Sequence, residues 1–515
     1  VGEVEIIFIA ILVAVAVLSA AARAINVPYP IVLVVGGAIM GLAPIGLPEV
    51  ELEPDLVLVI FLPPLLYSGA FFADLRDLRA NLRTISLLSV GLVLATMSVV
   101  AVVAHEMIGL SWPASFALGA IVGPTDPVAA TAIARRLGVP RRLVAILEGE
   151  ALINDATALV AYRIALGTGT FSLLDAGWDF VWKAAGGVAV GLAVGWVIIQ
   201  VRKRLDDPVV ENTIGLLSGY AAYVPAEHLE LSAVLAAVTV GCYVGWQAPK
   251  IASPSTRLQG FGMWELLVFL MNAFLFTLIG LQLPVILDDY EPDWLGYAVA
   301  VSAAVVLTRL AWNHSLVFLI RAIDRRESQR ARRGNWQGRT IVGWAGMRGA
   351  VSLAAALALP IAFEQRALLV FLTFAVIFVT LVCQGLTLPP LIRWLGVQDD
   401  GTEEEHEELK ARLHATKAAL ARIDELAGEE WTRDDTVERL RGGYEYRKRR
   451  LAARAGKIED DGFEDRSVAY QTLVRELLEA QRAAVVQLRN EGTISNDVMH
   501  RLERELDLED ERLEI

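Results

Sequence analysis

Apolar runs of about 20 residues recur through the first 398 positions, separated by short polar connections. About 20 helical residues cross the roughly 30 Å of hydrocarbon in a bilayer. The runs predict thirteen spans, at about 4–22, 28–47, 55–72, 85–108, 113–134, 143–165, 178–201, 209–226, 229–246, 261–283, 294–320, 340–360 and 367–390. Beyond 398 the pattern changes to sparse apolar positions at helical spacing. Leu409, Leu413, Leu420, Ile423 and Leu426 mark one helix over 404–427, and Leu473, Leu477, Val485 and Leu488 a second over 470–489. Gly492 stops that helix, and Ser495 or Asn496 caps a last one carrying Val498, Leu502 and Leu506. The expected fold is an all-α polytopic membrane domain over 1–395, followed by a helical cytoplasmic tail over 396–515.

The connections alternate in charge. After odd-numbered spans they carry Arg23; Arg76, Arg79 and Arg83; Arg135, Arg136, Arg141 and Arg142; Arg202, Lys203 and Arg204; Lys250 and Arg257; then Arg321 through Arg339. After even-numbered spans they are acidic, as at Glu49, Glu51, Glu53 and Asp55, or Asp288, Asp289, Glu291 and Asp293. Lys183 and Arg366 break the rule. The positive-inside rule then puts the N-terminus outside and the tail in the cytoplasm of a plasma membrane, which requires an odd number of spans. Glu3 and Glu5, rather than basic residues, precede the first run, which argues against a cleaved signal peptide.

Two spans are interrupted. In the fifth, Pro124 and Pro127 bracket Thr125 and Asp126; in the twelfth, Gly343, Gly346 and Gly349 surround Arg348. Backbone unwound at membrane depth must be buried in protein or line a cavity. The interrupted spans are seven apart and so run in opposite directions. Spans 1–6 and 8–13 then form inverted repeats, the topology that marks the midplane site of a secondary transporter.

Composition adds exclusions. The chain is 55% hydrophobic and 20% charged, and the net charge of −13 belongs mostly to the tail, which holds 20 basic and 31 acidic residues against 26 and 28 before it. That acidity excludes nucleic acid as a partner. Cys242 and Cys383 both lie in apolar runs, the six histidines have no metal-ligand spacing, and no enzyme or cofactor motif is present.

Charges inside the spans point to function, because each costs roughly 2.5–3.5 kcal/mol at the bilayer centre. Span 6 carries Glu148, Glu150, Asp155 and Arg163. Helical spacing puts Glu150 and Asn154 on one face, and Glu148, Ala151 and Asp155 on another. Asp155, at mid-membrane, is the expected binder of a hard alkali cation or a proton. A carboxylate removed from water holds its proton into the neutral range, so one group can exchange the two ions. Asp126 with Thr125 either completes that oxygen shell or compensates a half-helix end. Glu150 and Arg348 are expected to pair as a structural bridge between the halves. Glu148, Ala151, Ser68, Arg163 and Glu265 are candidate pathway residues; Arg309, His314, Asn272 and Gln282 read as interhelical contacts. Arg447 through Arg450 in the tail suit anionic lipid or the acidic stretch 403–408.

GPTDPVAATAI, EGEALINDATALVAYR and GMRGAVSLA, in that order, resemble the monovalent cation:proton antiporter-1 family, which includes bacterial NhaP-type antiporters and eukaryotic sodium/proton exchangers. The resemblance covers about residues 5–395. It implies two crossed discontinuous helices, a moving core (about 85–165 and 294–390) and a dimerisation domain (about 4–72 and 178–283). By motif, Asp155 is the cation- and proton-binding carboxylate, Asn154 its orienting neighbour, Thr125 and Asp126 part of the crossing, and Glu150 the partner of Arg348. Members often have serine where Ala151 stands, and many prokaryotic members have glutamate where Ser68 stands. Relatives with two adjacent carboxylates in span 6 move two protons per cation; Asn154 takes the first of those places here. The implied activity is exchange of Na+ (or Li+) for H+ in a homodimer, without cofactor, electroneutral at one to one. The alternatives are potassium/proton exchange, a cation channel, or a membrane-anchored sensor that keeps the transporter fold.

Overall fold

A computed structural model describes residues 3–43, 57–166, 173–323, 335–399, 401–458 and 462–511. The acidic connection around Glu49–Asp55, and 324–334 of the connection ending at Arg339, lie outside the described residues. By backbone contacts the chain divides into two compact units, Val1–Asp399 and Asp400–Ile515.

In the first unit the helices are α1 (Glu3–Ala24), α2 (Tyr29–Leu42), α3 (Leu62–Phe71), α4 (Leu75–Ile108), α5 (Trp112–Val122), α6 (Pro127–Arg136), α7 (Arg141–Leu166), α8 (Leu173–Arg202), α9 (Pro208–His228), α10 (Ala233–Ile251), α11 (Pro254–Leu287), α12 (Trp294–Ile323), α13 (Trp336–Trp344), α14 (Ala350–Leu357) and α15 (Arg366–Leu395). Among the described residues, six stretches are long and apolar enough to cross a membrane by length and composition.

One connection is corrected. Arg76, Arg79 and Arg83 belong to the first turns of α4, which begins ten residues before the expected span 4 at 85. Leu75, Leu78, Leu82 and Ile85 recur at helical spacing, and the basic residues between them disguised the helix. Asp74 caps it, accepting the N–H groups of Arg76 at 2.8 Å and Asp77 at 3.2 Å. Arg141, at the start of α7, binds Asp74 at 2.6 Å and Asp77 at 3.1 Å.

Two hydrophobic clusters build the unit. One joins buried residues of α2, α4, α5, α6, α12 and α15; the other joins α3, α8, α9 and α10. Small residues set the close approaches: a Cβ at Gly37 of α2 or Gly280 of α11 would overlap the other helix's backbone. α7 lies at the seam. Val144, Ile146 and Leu147 belong to the first cluster, Leu152 and Ala156 to the second.

Both interruptions appear where the prolines and glycines put them, and they touch. The Asp126 N–H donates to the Met347 carbonyl at 2.8 Å. The two exceptions to the charge alternation also find reasons. Arg366 donates to the carbonyls of Leu357 and Leu359 at 2.8 and 3.0 Å, closing the C-terminal end of α14. Lys183 pairs with Asp179 one turn earlier at 2.7 Å.

The second unit holds α16 (Thr402–Leu426), α17 (Asp434–Arg454), α18 (Phe463–Asn490) and α19 (Asn496–Glu511). α17 has no counterpart in the apolar pattern. Leu451, its one buried apolar residue, packs with Leu409 and Leu413 of α16. Gly492, at φ 75°, ends α18, and Ser495 Oγ accepts the Val498 N–H at 3.3 Å.

Candidate functional site

The site lies where α7 passes the two interruptions. Asp126 closes the first one. Its backbone follows Pro124, its side chain accepts the Val128 N–H at 2.9 Å, and α6 starts at Pro127, whose missing N–H costs nothing at a helix start. Opposite stands Gly349, where a Cβ would overlap the Asp126 carboxylate. Glycine at 349 is therefore a condition for placing that carboxylate. Both readings of Asp126 survive in the geometry: it caps a half-helix and it faces a cavity.

That cavity, about 770 Å³, lies between α6, α7 and α14 on one side and α3 and α11 on the other. At the end of the basic connections it is lined by Ala73, Arg135, Glu148 and Phe261. Thr125, Asp126, Asp155, Asn272 and Phe276 also line it, and nothing of α7 beyond Asp155 does. Ser68, Ala151 and Glu265 lie along its walls. Asp155 and Asp126 are near enough to feel one another's charge. Their oxygens, with those of Thr125 and Ser352, are hard donors that line one cavity.

Glu148 is engaged by Arg135 at 2.5 Å at the cavity's wide end. The Ser68 hydroxyl donates to the Leu65 carbonyl at 3.0 Å. Tyr29, which the sequence reading did not single out, also lines the cavity, tilted against Phe269 with ring centroids 5.3 Å apart. Its position at the start of α2, next to Pro28 and Pro30, carries no pattern that would have flagged it.

Four expected site residues are outside the lining, and two of them overturn an expectation. Glu150 does not pair with Arg348. Its partner is Arg309 of α12, whose Nη1 donates to Oε1 and whose Nη2 donates to Oε2 at 2.9 Å. Arg348 turns instead to backbone: Nε donates to the Val122 carbonyl at 3.0 Å and Nη1 to the Gly346 carbonyl. Its own N–H donates to Thr380 Oγ1 at 3.1 Å. The reason is position. Arg348 sits within an unwound stretch, beside the last carbonyl of α5, where orphan acceptors are nearest. Arg309 is 1% exposed and approaches Glu150 through the space left by Gly346, where a Cβ would overlap its side chain. Arg309 had been read as an interhelical contact, and a lone arginine in an apolar span was its only signal.

Asn154 is fully buried and faces the interruption rather than the cavity. Its Nδ2 donates to the Thr125 carbonyl at 3.2 Å and to Thr125 Oγ1 at 2.9 Å. Thr125 Oγ1 in turn donates to Glu150 Oε1 at 3.0 Å. A continuous chain therefore runs from Arg309 through Glu150 and Thr125 to Asn154, and fixes the loop that carries Asp126. Arg163 is a contact at the other end of α7, bound to Glu227 of α9 at 2.5 Å.

Comparison with known proteins adds three findings. Residues 8–394 match the family described as "Sodium/hydrogen exchanger, transmembrane". An uncharacterised Na+/H+ exchanger of Mycobacterium tuberculosis is 33% identical, across 99% of this chain and 96% of its own, and the Na+/H+ antiporter ApNhaP of Aphanothece halophytica is 34% identical, across 78% and 76%. Among solved structures, the sodium proton antiporter MjNhaP1 of Methanocaldococcus jannaschii superposes with a TM-score of 0.63 at 18% identity, over 77% of this chain and all of that one.

Proposed function

The chain belongs to the transmembrane sodium/hydrogen exchanger family, transporters that use no cofactor, and on that footing we propose that it exchanges Na+ (or Li+) for H+ by alternating access in a bacterial plasma membrane. The observation that carries this reading is the cavity that α7 shares with the two interruptions. Two carboxylates, Asp155 and Asp126, face it, while the nearby acid, Glu150, is already neutralised by Arg309. Asp155 is the exchanging group. It holds a cation when ionised and a proton when the cation has left, and the two states exclude each other.

Asn154 carries an amide that cannot titrate, Glu150 is taken up by the Arg309 guanidinium, and Asp126 is tied to the α6 start. If Asp155 alone changes partners, one positive charge crosses in each direction and the cycle is electroneutral. The thirteen spans then form inverted repeats. The core over 85–165 and 294–390 moves against a dimerisation scaffold over 4–72 and 178–283, and the cavity runs along that boundary. With the basic connections on the cytoplasmic side, a cavity bounded there by Arg135 and Glu148 fits the inward-open state of such a cycle. Glu148, Ser68, Ala151 and Glu265 line the path, and Arg163 holds the opposite end closed through Glu227. The chain works as a homodimer whose tail engages its own transport domain or anionic lipid, with Arg447 through Arg450 suited to anionic lipid or to the acidic stretch 403–408.

The test is cation-driven proton movement in proteoliposomes. Asp155→Asn is expected to abolish it while the protein remains folded; retained cation-dependent proton flux would remove Asp155 from the role. Setting the potential from zero to about −100 mV, worth about 2.3 kcal/mol per uncompensated charge, should leave the rate nearly unchanged. A large voltage effect would require a second titrating group, with Asp126 the first suspect.

A further inference from the structure

The second compact unit leaves one helix face uncovered. α18 buries Leu478 and Ser467, and Arg450 of α17 donates to Ser467 Oγ at 2.5 Å. About a quarter-turn away, Tyr470, Leu473, Leu477, Ala480 and Ala484 follow one another at alternating steps of three and four residues. All five are exposed, the three large ones by 63%, 61% and 53%. The same steps reach back to Arg466 and forward to Gln487 and Glu491, both ends exposed as well. This is a heptad seam over some 25 residues, a spacing that demands a second helix rather than a flat surface. α16, α17 and α19 supply none to it.

We propose that the seam of α18 pairs antiparallel with the same seam of a second copy of this chain, about a two-fold axis crossing between Leu477 and Ala480. The layers decide the occupant. In antiparallel register Leu477 meets Ala480, Leu473 meets Ala484, Tyr470 meets Gln487 and Arg466 meets Glu491, each twice by symmetry. Large side chains face small ones, the phenol faces an amide, and opposite charges close both ends. Parallel pairing would stack Arg466 on Arg466 and Glu491 on Glu491, and would leave the alanine half of the seam hollow. Within their own chain, Arg466 donates to the Gly462 carbonyl at 3.1 Å and Glu491 accepts from Gln487 at 2.7 Å. Those local bonds are exchanged for the layers across the axis. The proposal is independent of the transport reading.

The experiment uses the full chain in its membrane, with Cys242 and Cys383 replaced by serine. Two differently tagged copies are expressed together, one with Leu473→Cys and one with Ala484→Cys, and oxidised. A disulfide joining the two tags is expected. Neither variant should cross-link to itself, because like positions stand eleven residues apart along the helix, about 16 Å at 1.5 Å per residue. Self-cross-linking of Leu473→Cys would show parallel pairing and overturn the proposal. Absence of cross-links in every combination would mean that the face is covered by another surface, which also overturns it. Arg466→Glu in the Leu473→Cys copy should reduce the mixed disulfide several-fold, and Glu491→Arg in the Ala484→Cys copy should restore it; failure of that combination to recover would refute the register.

Discussion

The two interruptions do the same thing by opposite means. At 123–126 the chain is stopped by prolines, which remove donors and set the backbone; the side chain delivered is a carboxylate, and it caps the helix that follows. At 345–349 the chain is loosened by glycines and delivers a guanidinium, which satisfies the last carbonyl of α5 and one of its own. Both charges therefore serve the helix ends of the first break. Asp126 answers the positive end of α6, and Arg348 answers the negative end of α5. The difference teaches that the proline break presents a carboxylate to the cavity, whereas the glycine break makes room for it. Gly349 clears the Asp126 carboxylate, and Gly346 clears Arg309 on its way to Glu150.

The comparison can be broken first at its tightest point. Gly349→Ala is expected to cut exchange by on the order of 100-fold, the scale that follows a misplacement of about 1 Å, because the carboxylate it displaces is held at both backbone and side chain. Gly346→Ala should cost less, since a flexible arginine side chain can shift. Equal loss in both, measured as initial rates in proteoliposomes, would mean that room for Asp126 is not the point.

Next come the two arginines. Arg309→Ala leaves Glu150 as a buried, unpaired anion and should destabilise the protein by about 3–5 kcal/mol. Arg348→Ala orphans two carbonyls, at about 1–3 kcal/mol each. Adding Glu150→Gln should recover part of the melting temperature lost in Arg309→Ala, because it removes the unpaired anion, and none of that lost in Arg348→Ala. Recovery in the Arg348→Ala background instead would restore Arg348 as the partner of Glu150.

The smallest effects separate two aspartate caps. Asparagine caps almost as well as aspartate, so Asp126→Asn and Asp74→Asn should each change stability by less than about 1 kcal/mol. Only Asp126→Asn should weaken apparent cation affinity. Partial burial pushes the Asp74 carboxyl up, but the N–H groups of Arg76 and Asp77 and the Arg141 guanidinium outweigh it and hold the group below the usual carboxylate range. Its stabilisation is thus complete above the unfolded value of about 3.9 and is lost only as pH falls through the lower folded one. Stability of Asp74→Asn relative to wild type should be flat from pH 5 to pH 9; a slope there would contradict the capped geometry.

Much of this was legible in the sequence because membranes restrict what a chain can do. Runs of apolar residues, two clusters of helix breakers and a carboxylate at mid-span have few structural meanings, and the cavity carrying Asp155, Asp126 and Thr125 follows from them. The partner of Glu150 was not legible. Arg348 and Arg309 both sit in apolar context, and the choice depends on which helix crosses at what depth, a fact of packing that no spacing records. The start of α4 was missed for a different reason. Its arginines satisfy the rule for a connection while the leucines between them satisfy the rule for a helix, and both rules hold at a membrane surface. In the tail, Leu473 and Leu477 had the spacing of a core yet lie exposed, because spacing identifies a seam without saying which molecule fills it.

The pairing of Glu150 with Arg309 also has a history in time. The two residues are 159 positions apart, and at roughly 5–20 residues per second the ribosome needs about 8–30 s to travel between them. Throughout that interval α7 has reached the membrane without its counterion. Until then the acid has no arginine to meet it, and α12 arrives as the clasp that completes assembly. Chains truncated before Arg309 should therefore be cleared by membrane proteases faster than chains truncated at Asp399, and Glu150→Gln should prolong the life of the shorter ones.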